Sequence, residues 1–135
     1  MSNLARICTT TPEFQGSAPS FSQPTEIDIR NIIDARRLRA KFFDDSLFAD
    51  PAWDILLDLY RAHLAQQRIS VTSVCFGAGV PVSTALRWLN ALEERGLARR
   101  SQDPLDGRRF FVELTQSGVS AMADYFAASG RPIAI

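Results

Sequence analysis

The sequence is short of the residues from which most metal sites and many active sites are built. One histidine, His63, and two cysteines, Cys8 and Cys75, occur in 135 residues. The cysteines lie far apart and form no metal-ligand spacing, so neither a metal site nor a disulfide framework is expected. No apolar run approaches the roughly 20 residues that a membrane-crossing helix needs. The first residues lack the basic-then-apolar pattern of a secretory leader, which points to a reduced, cytoplasmic setting. There is no glycine-rich phosphate cradle, no histidine pair and no nucleophile motif, so neither an enzyme nor a cofactor is expected. Asp44-Asp45 reads as a solvated, turn-forming pair. An excess of either charge is missing too: fifteen basic residues balance fifteen acidic ones. That excludes a uniformly basic nucleic-acid packager, while leaving a local patch open.

What is present is charge that is segregated. Residues 44–58 contain five aspartates and no basic residue, whereas residues 81–111 contain six arginines against four acids. The bulk composition, 46% hydrophobic and 22% charged, is that of a single globular domain.

Residues 1–24, rich in Ser, Thr, Pro and Gly, read as a flexible arm, and 25–135 as the folded domain. Thr25 is placed to cap a helix over 25–43, with Ile29, Ile32, Ile33, Leu38 and Phe42 as its apolar side. Its basic side, Arg30, Arg36, Arg37, Arg39 and Lys41, reads first as a solvated face, with a DNA contact as the alternative. Asp50-Pro51 opens a second helix through about Gln66, carrying Trp53, Leu56, Tyr60 and Leu64. His63 on that helix reads as a packing or surface residue. Arg68-Ile69 is a very short strand candidate. Ser70 caps a short helix with Val71, Val74 and Cys75 inward, which suggests an inert core thiol. Gly77 and Gly79 allow a sharp turn into a helix from about Pro81 to Arg95, stopped by Gly96. Leu97–Gln102 and Arg109–Leu114 read as strands joined by a turn over 103–107. Thr115 caps a last helix with Val119, Met122, Ala123 and Phe126 as its stripe, ending at Gly130 with Pro132 beyond.

Two short helices joined by a tight turn make a helix-turn-helix, whose second helix suits the major groove of duplex DNA. On 81–95, Val82, Ala85, Leu86, Leu89 and Leu92 form the side to be buried, with Trp88 at the core edge. Ser83, Thr84 and Arg87 lie opposite and offer hydroxyls and a guanidinium for phosphates and guanine edges. The hairpin then carries Arg108 and Arg109 beside its turn, where an arginine suits the narrow minor groove. The fold class is mainly α with a small β-hairpin: a winged helix-turn-helix of about five helices and a two- to three-stranded antiparallel sheet.

The chain resembles the MarR-type winged-helix transcriptional regulators over about 50–128. The resemblance is carried by Gly79-Val80-Pro81-Val82-Ser83-Thr84-Ala85-Leu86-Arg87 and by Leu92-Glu93-Glu94-Arg95-Gly96-Leu97. Its most specific part is Asp103-Pro104-Leu105-Asp106-Gly107-Arg108-Arg109, running into Leu114-Thr115 and Gly118. The resemblance implies groove-facing roles for Ser83, Thr84 and Arg87, a wing-tip role for Arg108, and a contact for Arg100 on the strand entering the wing. It departs at Gly107, where the family often has the first of two arginines, and at Pro81, where a serine cap is frequent. It also implies a homodimer. Because little chain follows 116–128, the helix 25–43 is expected to carry most of that contact. The expected partner is double-stranded DNA, with no membrane role. A winged-helix module for protein contact is the alternative.

Overall fold

The computed structural model describes residues 23–129. The first 22 residues, most of the predicted arm, lie outside the described part, as do Cys8, Gly130 and Pro132. Within it, Gln23 Nε2 donates to the Ala123 carbonyl at 3.3 Å and Pro24 is buried, so the chain is tied down before the first helix begins.

Helix α1 spans Glu26–Leu38 and starts as the sequence predicts. Thr25 Oγ1 accepts from the Asp28 amide at 3.3 Å, and Asp28 Oδ2 accepts from the Thr25 amide at 3.0 Å. This reciprocal box satisfies two amides that the helix start would otherwise orphan. Ile29, Ile32 and Ile33 are buried. Leu38 and Phe42, predicted on the same side, are instead 51% and 72% exposed. Leu38 is the last residue of α1, and the backbone then tightens into a 3₁₀ turn at Arg39–Lys41 that Phe42 closes, so neither continues the buried side. The expected solvated basic face is partly engaged. Arg30 pairs with Glu26 at 2.5 Å, Arg36 with Asp54 at 2.6 Å, and Arg39 lies over the Phe48 ring at 5.1 Å.

A second 3₁₀ turn, Asp45–Phe48, follows Asp44, whose Oδ1 accepts from both the amide and the hydroxyl of Ser46. Those bonds hold the Asp44 carboxyl below its ordinary pKa. Helix α2, Pro51–Leu64, has proline in its first turn, but the Asp50 side chain makes no capping bond. Helix α2 is the hub: it touches α1, α3, α4, α5 and the long strand of the sheet. Ile55, Leu57, Leu59, Tyr60 and Ala62 are therefore buried nearly all round it. His63 is exposed and stacks flat on Tyr60 at 6.2 Å.

Strand β1 is only Ile69–Ser70, and Ser70 caps α3, Val71–Phe76, by accepting from the Ser73 amide at 3.1 Å. Helix α4 spans Val82–Glu94. Strands β2, Ala98–Asp103, and β3, Asp106–Leu114, form the wing, and α5 covers Gln116–Ser129. The antiparallel sheet has the order β1-β3-β2, with Ile69 opposite Val112 and Arg100 opposite Val112 on the other side. The hairpin is tighter than the predicted five-residue turn. Asp103 pairs with Asp106, leaving Pro104-Leu105 as the loop, with a register shift at Gln102/Asp103. The core lies between α1, α2, α4, α5 and the inner face of the sheet.

Candidate nucleic-acid interface

Helix α4 buries Ala85, Leu89 and Leu92 against the core, at the spacing of one helix face. Val82 departs from the sequence reading, while Trp88 keeps the core-edge place given to it. Val82, the first residue of α4, is 42% exposed, and Trp88, on the flank of the helix, is 44% exposed. Opposite the buried face, Ser83 and Arg87 are exposed and Thr84 is half-buried. Arg87 makes no hydrogen bond or ion pair among the described residues, so its guanidinium is available for a ligand.

The direction in which α4 hands over to the wing is set by backbone bonds. The Gly96 amide donates to the Glu93 carbonyl at 2.9 Å and the Leu97 amide to the Leu92 carbonyl at 3.0 Å. This double closure requires the left-handed backbone that Gly96 adopts, φ +75°.

On the wing the predicted site residues separate. Arg108 follows the turn with its side chain 93% exposed, and its Nε donates to Asp106 Oδ1 at 3.3 Å. Asp106 Oδ1 also accepts the Arg108 amide at 3.1 Å, so the aspartate shapes the turn and steadies the arginine together. Arg109, the next residue on β3, leaves the opposite face of the strand. There its guanidinium lies 5.2 Å from the Phe111 ring centroid, and Arg68 approaches the same ring at 4.7 Å. Phe110 was predicted to lie on the helices with Val112 and Leu114. It is 44% exposed, while those two are buried. The wing outgrows the core at that point. An open cleft of about 710 Å³ separates it from α3, bordered by Val71, Thr72, Arg100, Asp106, Arg108, Arg109 and Phe110.

Arg100 does not reach outward. Its Nε and Nη2 both donate to Glu93 Oε1, at 2.9 and 2.5 Å, and Nη2 also donates to Asn90 Oδ1. The bond to Glu93 raises the Arg100 pKa above its ordinary value, against the opposing effect of burial. Asn90 is an exposed residue of α4 that the sequence reading passed over. Its signal was its spacing, three residues after Arg87 on the same helix. Cys75 is completely buried, and burial pushes its thiol pKa up despite the nearby Arg100 charge. A thiol held protonated in the core is a poor nucleophile.

No protein-family model and no curated protein sequence matches the chain. Solved structures do. A protein from Archaeoglobus fulgidus is 20% identical with a TM-score of 0.52, over 62% of this chain and 88% of that one. MepR of S. aureus, solved in a DNA-binding conformation, is also 20% identical with a TM-score of 0.52, over 73% of this chain and 66% of that one. A candidate DNA-binding protein from Ralstonia eutropha is 31% identical over 57% of this chain and 96% of that one, with a TM-score of 0.48. Five helices, a three-stranded antiparallel sheet and the similarity to MepR give one fold, the winged helix-turn-helix.

Proposed function

We propose that the chain is a sequence-specific, duplex-DNA-binding transcriptional regulator that acts as a homodimer. One observation carries the reading: Ser83 and Arg87 stand exposed on α4, and Arg108 stands exposed on the wing. Helix α4 is the element for the major groove, which is about 12 Å wide. Arg87 would donate to guanine O6 and N7, while Ser83 and Thr84 would anchor phosphates. Arg108 would enter the adjacent minor groove, and Arg109, on the other strand face, would meet the phosphate backbone. Two copies would read half-sites about one helical turn apart. MepR, named for its DNA-binding conformation, supports this use of the fold.

The test is a duplex-binding titration with two arginine variants. Arg87→Ala is expected to cost about 1–3 kcal/mol on the preferred site and to relax base preference. Arg108→Ala is expected to weaken all duplexes alike and to reduce the salt slope by about one. Unchanged binding in both variants would remove this contact mode. A second reading, a module for protein contact, is favoured by exposed Phe42, Phe43, Leu47, Phe48 and Phe76. A wild-type chain that shifts no duplex even at low salt belongs to that reading.

A further inference from the structure

We propose that Arg100 is a positioning residue: by gripping Glu93 and Asn90 of α4, it sets the angle of the wing to the recognition helix. The proposal rests on the DNA-binding reading above for its consequence, and on geometry alone for the clamp.

Arg100 is paired in register with Val112, whose side chain is buried. Opposed residues of an antiparallel pair share a face, so Arg100 points inward, toward the helices. Beyond this pair apolar packing stops holding the wing. Phe110, the next inward residue on β3, is 44% exposed, and the cleft of about 710 Å³ opens between the wing and α3. The wing is therefore fixed to α4 at two places. One is the turn at Gly96, and the other is the Arg100 grip seven residues from Glu93. A turn fixes where a hairpin starts, while a second point is needed to fix its direction. Pairing of β3 with β1 at Phe111 and Val112 also holds the base of the hairpin, so removing the grip frees the part of the wing beyond that pairing, carrying Arg108 with it.

The same geometry argues against Arg100 as a phosphate ligand. Two of its nitrogens are committed to Glu93, and both side chains are largely shielded, 30% and 25% exposed. A phosphate would have to displace a carboxylate already bound in a partly dry site, leaving Glu93 uncompensated beside the DNA. Arg108, at 93% exposure, has no such competitor of comparable burial.

Glu93→Gln decides between the two roles by the sign of its effect, because it keeps side-chain volume and removes a negative charge from the DNA-facing side. If Arg100 were a DNA ligand restrained by Glu93, this variant would bind duplex more tightly. The clamp predicts weaker binding instead, by about tenfold, the scale of one charge-assisted hydrogen bond. Arg100→Gln should weaken binding by a similar factor without lowering the salt slope, and Asn90→Ala by less. The cost of Arg108→Ala should shrink in the Glu93→Gln background, since a swinging wing no longer delivers that arginine. A general loss of stability would not produce this coupling.

Amide hydrogen exchange on the free protein supplies a readout independent of DNA. Glu93→Gln should accelerate exchange across 100–110, beyond the pairing with β1, while leaving the amides of α2 unchanged. Unchanged wing exchange, tighter duplex binding by Glu93→Gln, or a salt slope reduced by about 0.9 in Arg100→Gln would each overturn the clamp. A wild-type chain that binds no duplex would overturn the DNA reading, while the exchange result would still decide the clamp.

Discussion

Gly118 is the residue on which the docking of the last helix depends. A β-carbon there would lie 2.2 Å from the Leu97 carbonyl oxygen, which is backbone and cannot step aside. The neighbouring Thr115 completes the joint. Its amide donates to that Leu97 carbonyl at 3.0 Å, its hydroxyl donates to the Gly96 carbonyl at 2.5 Å, and the same oxygen accepts the Gly118 amide at 3.1 Å. The Leu-Thr-x-x-Gly pattern thus locks α5 onto the turn that leads from α4 into the wing. Gly118→Ala is expected to destabilise the fold by about 1–3 kcal/mol, the usual cost of overpacking, measured as a lower urea midpoint with unchanged slope. The pattern was visible in the sequence, but its reason was not. The carbonyl that excludes a side chain belongs to a residue 21 positions earlier, between Leu97 and Gly118. Arg100 shows the opposite limit. Its place on the wing strand is evident from sequence, yet its partners Glu93 and Asn90 sit on another element, so a clamp and a DNA contact look alike until the fold is known.

Among the elements, those governed by local chemistry were legible. The α1 start depends on Thr25 and Asp28, three residues apart, and their box forms as read. Thr25→Ala is expected to cost about 1 kcal/mol, seen as a lower thermal midpoint. Thr25→Ser, which keeps the hydroxyl, should restore most of the loss. The hairpin turn was legible in kind but not in length. Asp103 and Asp106 pair across it because β3 extends back through Gly107 and Arg108. Helix α2 was misjudged in breadth. A stripe of Trp53, Leu56, Tyr60 and Leu64 suggests one apolar side. Burial of Ile55, Leu57, Leu59 and Ala62 follows from neighbours on every side, which periodicity within one helix does not report.

For the molecule as a whole, the proposed homodimer calls for a face between two copies. The outward face of α1 and its 3₁₀ continuation exposes Ile27 at 58%, Leu38 at 51% and Phe42 at 72%. They recur at helical spacing and stay exposed among the described residues. An exposed apolar stripe of this kind suits a second, identical helix, since a twofold contact presents the same residues from both sides. Sedimentation equilibrium should find a dimer at micromolar concentration, and Phe42→Glu should shift it to monomer with the helical content unchanged. A wild-type monomer, with and without duplex, would remove the homodimer from the proposed function.

What the sequence determined by itself was the order of elements, their caps and the position of the arginines. Each of these depends on residues within one or two turns of one another. What the tertiary structure decided was which arginines remain available. Arg87 and Arg108 stay exposed, Arg109 settles over Phe111, and Arg100 turns inward to Glu93 and Asn90. The reason is physical: a guanidinium goes to the strongest acceptor within reach. Which acceptors are within reach is fixed only when α4, the Gly96 turn and the wing are brought together.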